Sequence, residues 1–229
     1  MKYVNAFLGS FFCLWLGVQP AQAGVVINGT RVIYDGSRRE AGIAVSNPDK
    51  VTPYLMQSWI ENFSSSNTEK VPFIITPPLF RLDAQRENVL RIVHVGAGLP
   101  DDRESVFLLN IKSIPATQKT DENELQISVK AQLKLFYRPT ALKSINADDA
   151  YKQLTFSRQG SQLVVNNPTP FYISFYSVSV DGKAIDKPSM VEPKGSLQWP
   201  LTFEVGKTIT WQTINDYGGI TPVVQSVLK

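Results

Sequence analysis

Hydrophobic and polar residues alternate along much of the chain, most regularly over residues 124–139, ELQISVKAQLKLFYRP. A period of two is typical of a β-strand with one apolar and one polar face. Ordinary strands have about five or six residues, and this apolar row runs for roughly twice that length. The alternation by itself fits a strand whose apolar face covers the core of its own sandwich. The row consists of Leu125, Ile127, Val129, Ala131, Leu133 and Leu135.

Short runs rich in β-branched and aromatic residues recur on both sides of this row, separated by Gly, Pro, Asn and Asp. Such runs with regular turns predict β-sandwiches. The stretch 138–152, RPTALKSINADDAYK, loses the alternation and is interpreted as a hinge with a loop or a little helix. We therefore predict two β-sandwich domains, over residues 24–143 and 144–229.

The first residues have the pattern of a secretory signal peptide. Lys2 precedes the apolar run AFLGSFFCLWLGV, and AQA at 21–23 is a small-x-small cleavage site. A membrane-spanning helix needs about 20 apolar residues, and Gln19 and Pro20 interrupt this run too early. We expect residues 1–23 to be removed and the secreted chain not to insert into a membrane.

Composition excludes several classes of function for residues 24–229. The only cysteine, Cys13, lies in the predicted signal peptide, which leaves no disulfide, thiol nucleophile or thiolate metal site. The formal net charge of the whole chain is +3, which is too balanced to indicate nucleic acid or an anionic membrane as a partner.

Few residues suggest catalysis. His94 is the only histidine, and in the run LRIVHVGAG it is interpreted as a structural residue rather than a general base. Paired carboxylates can hydrolyse glycosides without histidine, and the densest acids lie at 100–105 and 119–124. Both stretches are interpreted as solvated turns. We predict no catalytic residue, no metal site and no cofactor.

Several segments, taken in order, resemble the periplasmic pilus-assembly chaperones, the family of the P-pilus chaperone. Segments similar to that family extend from the first predicted strand to the last third of the chain. The short stretch TQKTDEN suggests the short-loop subfamily. The segments are RVIYDGS (31–37), TPPLFRLD (76–83), LPDDRESVFLLNIKSIPA (99–116), LKLFYRP (133–139), NPTPFYISF (167–175) and INDYGG (214–219).

The resemblance implies two immunoglobulin-like β-sandwich domains joined by a hinge in an L-shaped, all-β arrangement. It also implies a periplasmic protein that captures pilus subunits without ATP and delivers them to an outer-membrane usher. A subunit of this kind lacks its last strand, and the chaperone lends one, here residues 123–135, by β-augmentation. The side chains that would enter the subunit are those of Leu125, Ile127, Val129, Ala131 and Leu133.

The resemblance also assigns charged residues. Arg31 and Lys134 would hold the subunit's terminal carboxylate, whereas Lys130 is interpreted as an ordinary solvated lysine. A further charge cluster would bridge the two domains; it consists of Glu104, Arg138 and Asp216. Pro53 would shield the binding edge of the subunit-free chaperone, whose exposed apolar row favours self-association.

One position departs from the family pattern. Two residues before Asn110 the family usually has an aromatic residue, and here Leu108 stands there, with Phe107 one earlier. We expect this change to alter local packing without touching the residues that bind. The alternatives to a chaperone are a secreted two-domain adhesin or pilus subunit and, less well supported, a carboxylate-only glycosidase.

Overall fold

The computed structural model describes residues 24–96, 98–117, 125–202, 206 and 208–228. The predicted signal peptide and most of the predicted loop at 117–123 lie outside these residues. Two short 3-10 helices, Thr140–Leu142 and Ala150–Gln153, separate the strands into two groups. The strands are β1 Val26–Ile27, β2 Arg31–Asp35, β3 Ala41–Ser46, β4 Tyr54–Asn62, β5 Phe73–Thr76, β6 Leu79–Leu82, β7 Glu87–His94, β8 Ser105–Pro115, β9 Val129–Arg138, β10 Thr155–Gln159, β11 Gln162–Asn166, β12 Ile173–Val180, β13 Lys183–Ala184, β14 Met190–Val191, β15 Ser196–Pro200, β16 Thr208–Thr213 and β17 Val224–Val227.

Strands β1 to β9 form the first sandwich from two sheets, with strand orders β1-β3-β7-β5 and β2-β9-β8-β4-β6. Side chains from both sheets meet in one buried core, as the alternation predicts. In β2, for example, Val32 and Tyr34 are buried and their neighbours are half-buried. The fully buried centre of this core includes Val45, Leu90, Ile92, Leu109 and Leu135.

Strands β10 to β17 form the second sandwich, with sheets β10-β11-β15 and β13-β12-β16-β17, and β14 paired to β12. Trp211 is at the centre of its core and donates from Nε1 to the carbonyl oxygen of Tyr151 over 2.9 Å. Leu142 packs in this second core, although the predicted boundary assigns it to the first domain. The prediction of an all-β chain with two sandwiches is confirmed.

Strand β9 changes its neighbours along its length. Its second half, Lys134–Arg138, lies between β8 and β2, with β2 parallel to it. Its first half, Val129–Leu133, pairs with β8 alone. In the described part of the chain, the other edge of that half has no strand beside it.

The long apolar row is therefore divided in two. Strand β9 begins at Val129, so Leu125–Ser128 precede the strand. Residues 123 and 124, with which the predicted lent strand begins, lie outside the described part of the chain. Leu133 and Leu135 belong to the first core, whereas Leu125, Ile127 and Val129 are exposed. Gln126 Nε2 donates to the carbonyl oxygen of Pro115 over 2.8 Å, which keeps this stretch beside the end of β8.

The two parts of the row differ in what they contribute to stability. We expect Leu135→Ala to lower the free energy of unfolding of the first domain by about 2–5 kcal/mol, because it leaves a cavity in the core. Ile127→Ala, on the exposed part, is expected to change it by less than about 0.5 kcal/mol. Urea unfolding measures both; equal losses in the two variants would contradict this division.

Candidate functional site

Arg31 and Lys134 lie directly opposite one another in the parallel pair of β2 and β9. Both side chains are half-buried. Because β2 begins at Arg31, the pair marks the point where the open edge of β9 ends and the covered edge starts. The two residues that were predicted to hold a carboxylate are therefore neighbours at the end of an unpaired strand edge.

The guanidinium of Arg31 is fixed on two sides. Its Nη1 donates to the carbonyl oxygen of Ile214, in the second sandwich, over 3.1 Å. Its carbon Cζ lies 5.6 Å from the ring centroid of Phe136. Its Nε is buried and has no hydrogen-bond partner among the described residues. A cation held in a fixed position in this way is suited to receiving an anion.

Both cations are electrostatically unfavourable in the free protein. Burial lowers the pKa of Lys134, and the nearby charge of Arg31 lowers it further. Burial also lowers the pKa of Arg31, against the attraction of Asp216 and Glu104. Among the described residues, no carboxylate oxygen forms a salt bridge with either cation. A carboxylate between the two would remove their repulsion and satisfy their donors.

The apolar row reaches this cation pair from the open side. Leu125 is 87% exposed, Ile127 65% and Val129 60%, and Ala131 is half-buried. Leu133 is only 6% exposed and packs in the core of its own sandwich. The prediction for Leu133 is therefore revised, because a side chain inside its own core is not available to a partner. The exposed row consists of Leu125, Ile127 and Val129.

Arg138 lies between two carboxylates that belong to different parts of the chain. Its Nε donates to Glu104 Oε1 over 2.8 Å, and its Nη1 and Nη2 donate to Asp216 Oδ2 and Oδ1 over 2.7 and 3.1 Å. Glu104 Oε2 also accepts from the backbone N–H of Tyr172 over 2.9 Å. These bonds connect the first sandwich to the second through groups that are largely removed from water.

Burial raises the pKa of Glu104, although the charge of Arg138 and the Tyr172 N–H oppose this rise. The Glu104 side chain is only 2% exposed and that of Arg138 is 21% exposed. A buried carboxylate of this kind depends on its cation, since removing one partner leaves an uncompensated charge.

His94 packs among aromatic rings of the first sandwich, and Pro53 lies beside the end of β8. The His94 ring packs against Phe73, Tyr137 and Tyr34 with centroid separations of 5.1, 4.9 and 6.4 Å, and burial lowers its pKa. Pro53 precedes β4, and its carbonyl oxygen accepts from the Ala116 N–H over 3.0 Å.

Leu108 was expected not to touch the residues that bind, and the structure places it beside one of them. It is the cross-strand partner of Lys134, whereas Phe107 points into the core and packs edge-on against Phe73 at 5.0 Å. The departure from the family pattern therefore does lie against a residue predicted to bind.

The sequence pattern did not predict two residues that take part in the site. Phe136 is buried although it shares the polar parity of β9, because it packs against Tyr172 of the second sandwich at 5.9 Å. The break in alternation at Leu135–Phe136 was the available signal. Ile214 takes part through its backbone carbonyl, which no side-chain pattern reveals.

The described residues contain no cluster of His, Cys, Asp or Glu that could hold a metal ion. The helices in this part of the chain include none that is long and apolar enough to cross a membrane.

Family models match both halves of the chain. Residues 24–143 match the model described as pili and flagellar-assembly chaperone, PapD N-terminal domain. Residues 149–225 match the model of the pili assembly chaperone PapD, C-terminal domain.

Curated proteins and solved structures are similar over nearly the whole length. The probable fimbrial chaperone LpfB of Escherichia coli O157:H7 is 44% identical over 224 residues, covering 96% of this chain and 95% of that protein. The chaperone protein FocC of Escherichia coli is 39% identical over 222 residues, covering 95% and 96%. The SafB chaperone of Salmonella enterica, solved in complex with SafA pilin, has a TM-score of 0.80 and 34% identity over 92% of this chain and 99% of that one.

The contacts of Arg138 give an expected pH dependence. Burial raises the pKa of Glu104 in the folded chain, so folded Glu104 binds a proton more readily than unfolded Glu104. Its contribution to stability is largest at low pH and falls as the pH rises from the unfolded pKa through the folded one. We expect Arg138→Leu to destabilise by about 3–5 kcal/mol at neutral pH, and by less in acid, where Glu104 is neutral.

Unfolding midpoints measured across acidic and neutral pH test this expectation. Arg103→Leu is the control, because Arg103 pairs with Asp102 at the surface and is expected to cost less than about 1 kcal/mol. A loss for Arg138→Leu that is equally large at both pH values would contradict the role of Glu104.

Proposed function

The chain belongs to the family of pili-assembly chaperones, and from this premise we propose how it captures pilus subunits. Residues 125–133 are lent to a subunit that lacks its last strand. The exposed row Leu125, Ile127 and Val129 fills apolar pockets of the subunit. Arg31 and Lys134 bind the subunit's terminal carboxylate.

One observation carries this proposal: the open edge of β9 ends at the cation pair. A strand added to Val129–Leu133 in line with β2 would run parallel to β9 and approach Arg31 and Lys134 with its carboxyl end. Its backbone would take up the N–H and C=O groups that β8 leaves unpaired. The cations would then fix the register, and a one-residue shift would turn every side chain to the other face.

The exposed row and the two cations contribute differently to the free energy of binding. Three aliphatic side chains at about 1.5–3 kcal/mol each give roughly 5–9 kcal/mol of gross burial free energy. Losing one cation from a desolvated contact costs about 2–5 kcal/mol. The row therefore contributes at least as much as either cation alone, and the cations decide where pairing begins.

The remaining assignments follow from family membership. We propose that the protein works in the periplasm, that it is not an enzyme, and that an outer-membrane usher receives its subunit complexes. The SafB chaperone was solved with a pilin, which supports a pilin subunit as the partner here. An adhesin or pilus subunit, the alternative for this chain, is not favoured, because its curated relatives are chaperones.

The cation pair is tested by co-expression in the periplasm with a tagged chain and a fimbrial subunit from the same source. We expect Lys134→Ala and Arg31→Ala to remain folded but to recover little or no subunit, because the subunit's carboxylate then lacks one cation. Lys70→Ala, an exposed lysine of the first sandwich, is the control and should recover the wild-type amount. Normal recovery with both anchor variants would refute the assignment.

The exposed row is tested by Ile127→Asn in the same co-purification. The amide in an apolar pocket should lower subunit recovery even with both cations present, because burying it without a partner is costly. Ile74→Asn is the matched control, since Ile74 is a 51% exposed isoleucine in β5 of the other sheet. Equal recovery with the two variants would show that the row makes no contact with the subunit.

A further inference from the structure

The outer face of the β4-β8-β9 sheet carries a second pair of cations. Lys112 in β8 and Lys130 in β9 are directly opposite one another in the antiparallel register. Like charges at such positions destabilise a sheet. In the described part of the chain, no carboxylate oxygen lies within salt-bridge distance of either ammonium.

Neighbouring groups hold Lys130 without neutralising it. Its ammonium lies 5.2 Å from the ring centroid of Trp59, a cation–π contact that leaves the charge in place. Glu61 is the acid beside this tryptophan, and it accepts from Trp59 Nε1 over 2.7 Å and from Asn110 Nδ2 over 3.1 Å. Glu61 is therefore committed to other donors.

Lys130 lies on the half of β9 whose edge is open. Adjacent strands are about 4.8 Å apart, and residues opposite each other in a pair point to the same face. A strand added to this edge would thus bring alternate side chains beside Lys130. Gln132, the next residue of β9 on this face, is exposed but bonds across to β8, because its Nε2 donates to Asn110 Oδ1 over 2.9 Å. Lys130 is therefore the charged group available to that strand.

We propose that Lys112 and Lys130 form a second carboxylate-binding site, which receives an acidic side chain from the polar face of the subunit strand paired to β9. This inference rests on the proposed capture of subunits. The two sites then differ in what they recognise. Every subunit ends in a carboxylate, so Arg31 and Lys134 accept any of them, whereas an acidic side chain occurs only in some sequences. Lys112 and Lys130 therefore select among subunits.

Synthetic peptides test this site against the full chain. Each copies the last strand of a fimbrial subunit, keeps a free terminal carboxylate, and carries Glu, Gln or Lys at the polar-face positions. Affinity is measured by calorimetry at low and high salt. We expect the Glu peptide to bind roughly three- to tenfold more tightly than the Gln peptide at low salt, the Lys peptide to bind most weakly, and the differences to shrink at high salt.

Replacing both lysines, Lys112→Gln with Lys130→Gln, should abolish the preference for Glu, whereas the control Lys70→Gln should keep it. Equal affinity of the wild-type chain for the Glu and Gln peptides would overturn the inference, as would a preference that survives in the double variant. A peptide with an amidated terminus separates the two proposals. If amidation weakens binding, the capture proposal stands whatever the Glu preference; if amidation has no effect, or no peptide binds, both proposals fail.

Discussion

Two like charges, Arg31 and Lys134, are held side by side at the point where edge strand β2 of the β2-β9-β8-β4-β6 sheet begins. The free protein keeps this repulsion because neither cation has a carboxylate partner among the described residues. The paired strands β2 and β9 hold the two charges in place, and a bound anion would relieve their repulsion. The proposed recognition of subunits depends on this constraint, since it determines where an added strand must end.

The second sandwich is needed to maintain that constraint. The Ile214 carbonyl holds the Arg31 guanidinium. Four residues beyond Lys134 on β9, Arg138 joins Glu104 to Asp216. Residues of β9 with even numbers thus change role along the strand. Lys130 faces solvent beside Trp59, Lys134 is half-buried, and Arg138 is enclosed between the domains.

Alternation in the sequence was sufficient to predict the fold class and most strands, because each sandwich buries one face of each sheet. It could not show where the row passes from core to surface. Ile127 and Leu133 share parity and chemistry, yet one is 65% and the other 6% exposed, because the opposing sheet covers only the latter. The contacts of Arg138 join residues far apart in sequence, so only the family resemblance indicated them. Strands β13 and β14 are too short to produce a pattern.

Capture of a subunit as proposed requires the open edge of Val129–Leu133 to accept a subunit strand. Amide hydrogen exchange of the chain, alone and in complex with a fimbrial subunit, tests this requirement. The amides of this segment that do not bond to β8 should exchange quickly in the free protein and become strongly protected in the complex, while the amides of Lys134–Arg138 change little because β2 already covers them. Unchanged exchange at Val129–Leu133 in a stable complex would show that the subunit binds elsewhere, and the account would be wrong.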